Sequence, residues 1–200
     1  MMKAQRIDDM ELKGKLTALR PLTTDDAQIT LKWRLSERAR FLNRGAETVE
    51  QQKSWIAAKE KTGDLNFIIE YQQSPVGMIA LHNISTIHRN AIIGRLLIGE
   101  QSAVGNAPVS FEAEVLLLDY AFETLGLHKI YGDIREDNKG VIKLRSYLGY
   151  HQDGILRDYI YDNGQYINGI MVSILENEYW KICRPKLVVM IDLLSQYPSK

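Results

Sequence analysis

The sequence predicts a single α/β domain built on a mixed sheet, antiparallel at first and parallel in the middle. Three observations predict it. After Gly63 the apolar residues change from helical spacing to alternation, and three strand-like segments follow with short connections. Residues 91–134 then read as strand, small-residue loop, helix and strand, a unit that sets two strands side by side in parallel. Near the C-terminal end Asp162-Asn163-Gly164 separates two alternating segments, a strong hairpin signal.

Taken in order, residues 1–14 are polar and expected to be poorly ordered. Residues 16–22 (LTALRPL) form the first strand, stopped by Pro21. Thr23 and Asp26 have capping-box spacing, with a carboxylate near the positive end of the helix. Ala27, Leu31 and Leu35, like Ile29 and Trp33, recur every four residues and carry that helix through about Leu35. Thr48 with Gln51 opens a second helix, which Gly63 closes.

Residues 66–72 and 75–85 are β-rich and form a hairpin around a tight Gln-Ser-Pro turn; residues 91–100 add a strand with Gly94 at a bulge. The segment QSAVGNAP is a loop, and Pro108 suits the first position of the next helix. Val109, Ala113, Leu116, Leu117, Tyr120 and Ala121 mark that helix over 109–124, ended by Gly126. Residues 128–134 return as a strand, Asp137-Asn138 caps a helix that stops at Gly149, and the Asn-Gly hairpin follows. Residues 176–200 are expected to be helical. The order is β-α-α-β-β-β-α-β-α-β-β.

Composition narrows the functional classes. The 200 residues suit one domain. Lys plus Arg equals Asp plus Glu, 25 each, which weighs against a nucleic-acid binder needing a basic surplus. The one cysteine, Cys183, allows no intrachain disulfide, and no Cys/His cluster suggests a metal site. The longest apolar run, residues 187–191, is far short of the roughly 20 residues of a membrane span. With no secretory pattern at the start, the expectation is a cytoplasmic protein.

The chemistry concentrates in residues 91–138. A strand running through a flexible loop into a helix N-terminus offers unpaired N–H groups and a positive dipole end, a means of holding a pyrophosphate without a metal. Gly105, Asn106 and Ala107 are small enough for close backbone approach. An ordinary strand-to-helix connection explains the same fragment equally well.

Longer phrases carry a resemblance. LRPLTTDDA, KWR with TVEQQKSWI, PVGMIAL, EAEVLLLDYAFETLGLHKIYGDIREDN, KLRSYLGYHQDGILRDYIYDNGQY and ENEYW together resemble the GNAT superfamily of N-acetyltransferases. They lie nearest the branch of ribosomal-protein N-terminal and aminosugar N-acetyltransferases. The resemblance implies a GNAT domain over residues 15–180 and a C-terminal extension, 181–200, packed on the domain or at a subunit interface. It implies a splayed pair of parallel strands flanked by helices, with acetyl-CoA as cosubstrate in the gap and no metal. Leu97 and Ile98 would then contact the pantetheine arm through their backbone. Gly105, Asn106, Ala107, Val109 and Ser110 would hold the pyrophosphate, and Asn138 would hydrogen-bond the arm.

Two positions depart from the family pattern. Pro108 and Ser110 replace loop glycines, and proline removes one donor. Arg145, counted with the cofactor site, stands where many members place a tyrosine that protonates the departing thiolate. Tyr147, two residues on, is the remaining tyrosine candidate but sits on a different helix face.

Direct attack on the thioester needs a neutral amine, whereas a free alkyl amine has a pKa of roughly 10. A base is therefore expected, Glu100 first and His82 or His88 as alternatives. Trp33, Arg34, Arg38 and Tyr159 are candidates for the acceptor wall, where arginines suit an anionic handle such as a nucleotide diphosphate. The leading acceptor is a small-molecule amine such as a nucleotide-linked aminosugar, with neither a nucleic acid nor a membrane as partner and a homodimer as the expected assembly. A protein N-terminus is the second acceptor, and a non-catalytic binding module the contrasting class.

Overall fold

The computed structural model describes residues 11–43 and 45–196. Residues 1–10 of the polar N-terminal segment, and 197–200 of the C-terminal extension, lie outside the described residues. Eight strands form one sheet: β1 (Leu12–Lys13), β2 (Thr17–Pro21), β3 (Leu65–Tyr71), β4 (Ser74–Ser85), β5 (Asn90–Ile98), β6 (Lys129–Arg135), β7 (His151–Asp162) and β8 (Gln165–Leu175). Their order is β1-β2-β3-β4-β5-β6-β8-β7. Every neighbouring pair is antiparallel except β5 with β6, which is the mixed sheet the sequence predicts. The helices are α1 (Ala27–Arg34), α2 (Val49–Glu60), α3 (Gln101–Val104), α4 (Val109–Asp119), α5 (Lys139–Leu148), α6 (Glu176–Glu178) and α7 (Arg184–Ser195).

Local chemistry accounts for most boundaries. At the start of α2, Gln51 N–H donates to Thr48 Oγ1 at 3.2 Å while Thr48 N–H donates to Gln51 Oε1 at 3.3 Å, a reciprocal capping box. Gly149 ends α5 at φ 93° and Asn163-Gly164 turns β7 into β8 at φ 48° and 82°, left-handed values that suit these residues.

Five expectations are corrected. Leu12–Lys13, within the segment expected to lack order, pairs with β2. The β3–β4 turn is Gln72-Gln73, at φ 50° and 63°, and Ser74 and Pro75 already belong to β4; Pro75 lies near the end of the strand, where little of the ladder is lost. The loop after β5 contains the short α3. Pro108 is the residue before α4 rather than its first helical one. The helix over 109–124 changes at Tyr120 into a π-turn, Tyr120–Thr124.

Alternation along β3 and β4 fills a core on each face. Phe67, Ile69, Ile79 and Leu81 pack with Val109, Leu117, Leu118 and Leu187 on the face of α4 and α7. Ile68 and Met78 pack with Trp33, Ile56 and Leu97 on the face of α1 and α2. The tail is fixed to α4, where Asp119 accepts from Tyr179 Oη at 2.6 Å and from Arg184 Nε at 2.8 Å. None of the helices among the described residues is long and apolar enough to cross a membrane.

Gly99 links the sheet to α1. Its N–H donates to Val76 O at 2.8 Å, and an added Cβ would fall well inside the ring of Trp33, a side chain only 1% exposed. Gly99→Ala is expected to lower the urea midpoint by the equivalent of about 1–3 kcal/mol, the usual cost of overpacking. An unchanged midpoint would contradict this packing.

Candidate functional site

β5 and β6 share three residue pairs, Asn90↔Lys129, Ala91↔Ile130 and Ile92↔Tyr131. β5 continues to Ile98 and β6 to Arg135, so their facing edges part beyond Ile92 and Tyr131. The cause lies on the outer edges. β6 is paired with β8 at each residue from Lys129 to Arg135. β5 follows β4 through an irregularity in which Met78↔Leu97 is succeeded by Ala80↔Gly94: two steps on β4 face three on β5. Arg95, at φ 58°, accommodates the extra residue as a bulge does.

A cavity of about 650 Å³ occupies the opening. Residues 93–96 and 132–135 form its rims. It is lined by Ser110, Phe111 and Glu114 from α4 and by Val141, Leu144 and Arg145 from α5. From the opposite face come Arg34, Trp55, Lys59 and His82. The cavity therefore connects the two faces of the sheet through the gap between the parted strands.

On the α4–α5 face a polar cluster sits under the opening. The guanidinium of Arg145 is hydrogen-bonded to Glu114 Oε1 and lies 4.7 Å from the centre of the Tyr150 ring. Tyr150 Oη donates to the same carboxylate oxygen at 3.4 Å. Burial alone would lower the Arg145 pKa, but the adjacent Glu114 carboxylate holds it above the ordinary value. Burial raises the Tyr150 phenol well above its usual range. Asn138 precedes α5, and its Oδ1 accepts from Val141 N–H at a long 3.4 Å.

The α1–α2 face is rich in cations. Arg95 donates to Asn66 Oδ1 at 2.6 Å, is 3.4 Å from Asp64 and lies over Trp55. Arg135 pairs with Asp137 and Asp162, both at 2.9 Å. Arg34 donates to Asn43 O and has no carboxylate partner among the described residues; burial and then Arg95 lower its pKa. Arg38 donates to Ile98 O at 2.7 Å and Gln101 Oε1 at 2.8 Å. His82 is held near a pKa of about 4, chiefly by burial and then by Arg95, so its imidazole is neutral at physiological pH.

Of the residues expected from sequence, Arg34, Arg38, His82, Ser110, Asn138 and Arg145 line the cavity. Others stand apart from its lining. Leu97 is buried with Met78 and Trp33, and the Ile98 carbonyl is engaged by Arg38. Gly105, at φ 57° and ψ −126°, closes α3 and, like Asn106 and Ala107, is not among the residues lining the cavity; Val109 is fully buried in the core. Trp33 is also buried, its indole N–H donating to Glu100 Oε1 at 2.9 Å.

The structure does not bring Glu100 into the cavity. Its carboxylate also accepts from Lys32 at 2.8 Å, and these bonds, Lys32 first, lower its pKa and make it a poorer base. Tyr147 points to solvent beneath the ammonium of Lys186, 4.7 Å from the ring centre. Tyr159 lies over Gly169. Sequence reading missed Arg95, Glu114, Asp133 and Tyr150. Asp133 carries a legible signal, since the alternation of IYGDI puts a carboxylate opposite the buried face of an interior strand.

Comparison with known proteins bears on this geometry. Residues 17–151 match the model of the acetyltransferase (GNAT) domain. The chain is 30% identical over 113 residues to spermidine N(1)-acetyltransferase of Escherichia coli K12, covering 56% of this chain and 59% of that protein. It thus spans about three fifths of that relative's length. It is 31% identical over 157 residues to the uncharacterized N-acetyltransferase YoaA of Bacillus subtilis, covering 73% and 85% of the two chains. The structure of spermidine N-acetyltransferase from Vibrio cholerae in complex with CoA and spermine shares the fold, with a TM-score of 0.72 at 23% identity over 84% of this chain and 100% of that one.

The state of His82 has a measurable consequence. Its pKa of about 4 lies below the 6.5 of an unperturbed histidine, so between those values the unfolded chain binds a proton that the folded chain does not. Stability from this group is complete above pH 6.5 and is lost as pH falls toward 4. Across that window the urea midpoint of the wild type is expected to fall more steeply than that of His82→Asn. Parallel curves would contradict the depressed pKa.

Proposed function

The chain belongs to the GNAT acetyltransferase family, and from that premise we propose that it transfers the acetyl group of acetyl-CoA to a primary amine on a small molecule that also bears an anionic group. A nucleotide-linked aminosugar, from the aminosugar branch of the family, is the favoured example. The domain proposed for this activity is residues 15–180, with 181–200 as an extension. Its proposed compartment is the cytoplasm, where a single buried thiol and no disulfide suit a reducing environment.

The observation that carries the acceptor class is the α1–α2 face of the cavity. Arg34 and Arg38 have no carboxylate partner among the described residues, whereas Arg95, Arg135 and Lys59, which also line the cavity, are paired with aspartates. Such a wall attracts a phosphate or carboxylate and repels a polyamine, whose own charges are positive. The spermidine acceptor in the names of the relatives is therefore not carried over to this chain.

The cofactor side fits a slender arm bearing amides. The edges of β5 and β6 part with backbone N–H and C=O groups directed into the gap, and such groups require partners. At Gly132 an added Cβ would lie 3.2 Å from Ile93 O, so the lack of a side chain keeps the narrow end of the opening clear. Asn138 and Ser110 border the gap and are proposed to hold the arm and the pyrophosphate. Acetyl-CoA supplies the electrophilic thioester carbon; the chain supplies orientation and two faces from which the reactants enter separately. Arg145, occupying the place of the family's tyrosine, is paired with Glu114 and ties α4 to α5 on the cofactor side. A homodimer through the edge strand β7, whose Tyr161 packs 5.0 Å from Tyr166 of β8, completes the proposal.

Calorimetric titration of the wild type with acetyl-CoA is expected to show saturable binding and a raised melting temperature. Asn138→Ala is expected to weaken that binding about tenfold, equivalent to roughly 1.4 kcal/mol, with the fold retained because its cap bond is long. An acceptor screen read by thiol release should favour amines carrying phosphate or carboxylate over spermidine. No binding at millimolar acetyl-CoA would overturn the activity; preference for spermidine would overturn the acceptor class.

A further inference from the structure

Asp133 lies on β6 two residues beyond Tyr131, the last residue paired with β5. It is thus at the start of the opening, and it lines the cavity. Tyr131, Asp133 and Arg135 alternate onto one face of the strand, and Arg135 approaches Phe41 at 6.0 Å, which fixes that face as the one toward α1 and α2. His82 shares this face from β4, next to Gly94, where an added Cβ would meet its Nε2 at 3.2 Å. Extending the β5–β6 register from Ile92↔Tyr131 puts Gly94 opposite Asp133. The carboxylate therefore looks across the gap toward a glycine over which the His82 imidazole lies, with no β5 side chain projecting between them.

The other acidic side chain lining the cavity is already engaged, since Glu114 holds Arg145 and Tyr150. Asp133 has no partner among the described residues besides its own backbone N–H. It is open to solvent within the cavity, yet the surrounding walls displace enough water to raise its pKa. Its negative charge in turn raises the pKa of Tyr159 on β7. The charged and titratable groups that line the cavity with Asp133 on this face include Arg135 and Tyr131 on its own strand, His82 and Arg95 across the gap, and Arg34 and Lys59 from the helices.

We propose that Asp133 binds the acceptor's ammonium group and takes one of its protons, delivering a neutral amine to the thioester at the parted strands. The inference rests on the acetyltransferase reading above. The ammonium gives a proton to the Asp133 carboxylate, and the freed nitrogen lone pair forms a bond to the thioester carbon. The carbon–sulfur bond breaks with its electron pair going to sulfur. The second proton leaves nitrogen as the amide forms and ends on sulfur, so the products are amide and thiol. Asp133 then returns its proton to solvent. Glu100 is tied to Lys32 and Trp33 outside the cavity, and His82 sits among cations that oppose its protonation. With Arg34 on the same face, the cavity offers one site for an ammonium and another for an anion.

The test uses the 200-residue chain labelled with 13C at the aspartate carboxyl carbons, with Asp133→Asn assigning the signal. O-phosphoethanolamine, which carries one ammonium and one phosphate, is the probe, and inorganic phosphate the control. The Asp133 carboxyl is expected to titrate above the roughly 3.9 of an unperturbed aspartate and to shift at pH 7 on adding the probe but not phosphate. Calorimetry should show the probe binding at least tenfold more weakly to Asp133→Asn, with Asp133→Glu recovering part of the loss and acetyl-CoA affinity unchanged in both. A carboxyl signal indifferent to the probe, or one moved equally by phosphate, would overturn the assignment. Failure of acetyl-CoA to bind the wild type would instead remove the acetyltransferase reading, whatever the carboxyl signal does.

Discussion

The parting of β5 from β6 is the constraint on which the site depends. Two neighbouring strands that share only three residue pairs leave backbone groups without ladder partners, an arrangement that costs stability wherever water or a ligand does not replace them. The surrounding sheet keeps them apart. β8 holds β6 along its whole length, while β4 holds β5 through the bulge at Arg95. Cores on both faces then fix those outer pairs, so closing the gap would require breaking ladders already anchored by buried side chains.

An opening through a sheet, rather than a groove on it, separates charge by face. Toward α4 and α5 the polar groups are paired: Glu114 compensates Arg145 and receives Tyr150. Removing either charge would strand the other in a poorly hydrated site, and such a pair serves geometry more dependably than net stability. Here it ties α4 to α5, the two helices bordering the cofactor side. Toward α1 and α2, Arg34 and Arg38 have no compensating carboxylate among the described residues, and Asp133 has no cation. One face is electrostatically closed on itself; the other has charge to offer a ligand.

Much of the fold is legible in sequence because its signals are local. The Thr48–Gln51 box, Asn163-Gly164, Gly149 and the alternation of β3 through β6 act within a few residues, and the structure uses each of them. The turn at Gln72-Gln73 was not legible, because neither residue advertises a left-handed conformation as glycine does. The π-turn after Asp119 carries no local residue signal, and α3 is too short to leave a periodic trace. The site was legible where side chain and position coincide, as at Arg34, His82, Asn138 and Arg145. Glu100 shows the limit: its strand approaches the opening, but Lys32 and the buried Trp33, 68 and 67 residues away in sequence, hold its carboxylate elsewhere. Asp133 was overlooked because one carboxylate in an apolar strand becomes informative only when the neighbouring strand is known to leave it.

Backbone hydrogen exchange with and without CoA tests most directly whether the parted strands form the cofactor site. Saturating CoA is predicted to slow exchange in residues 93–96 and 132–135, while β2, β3 and the outer strand β7 exchange at unchanged rates. Unchanged exchange at the two facing edges under saturating CoA, or protection confined to other elements, would contradict the account.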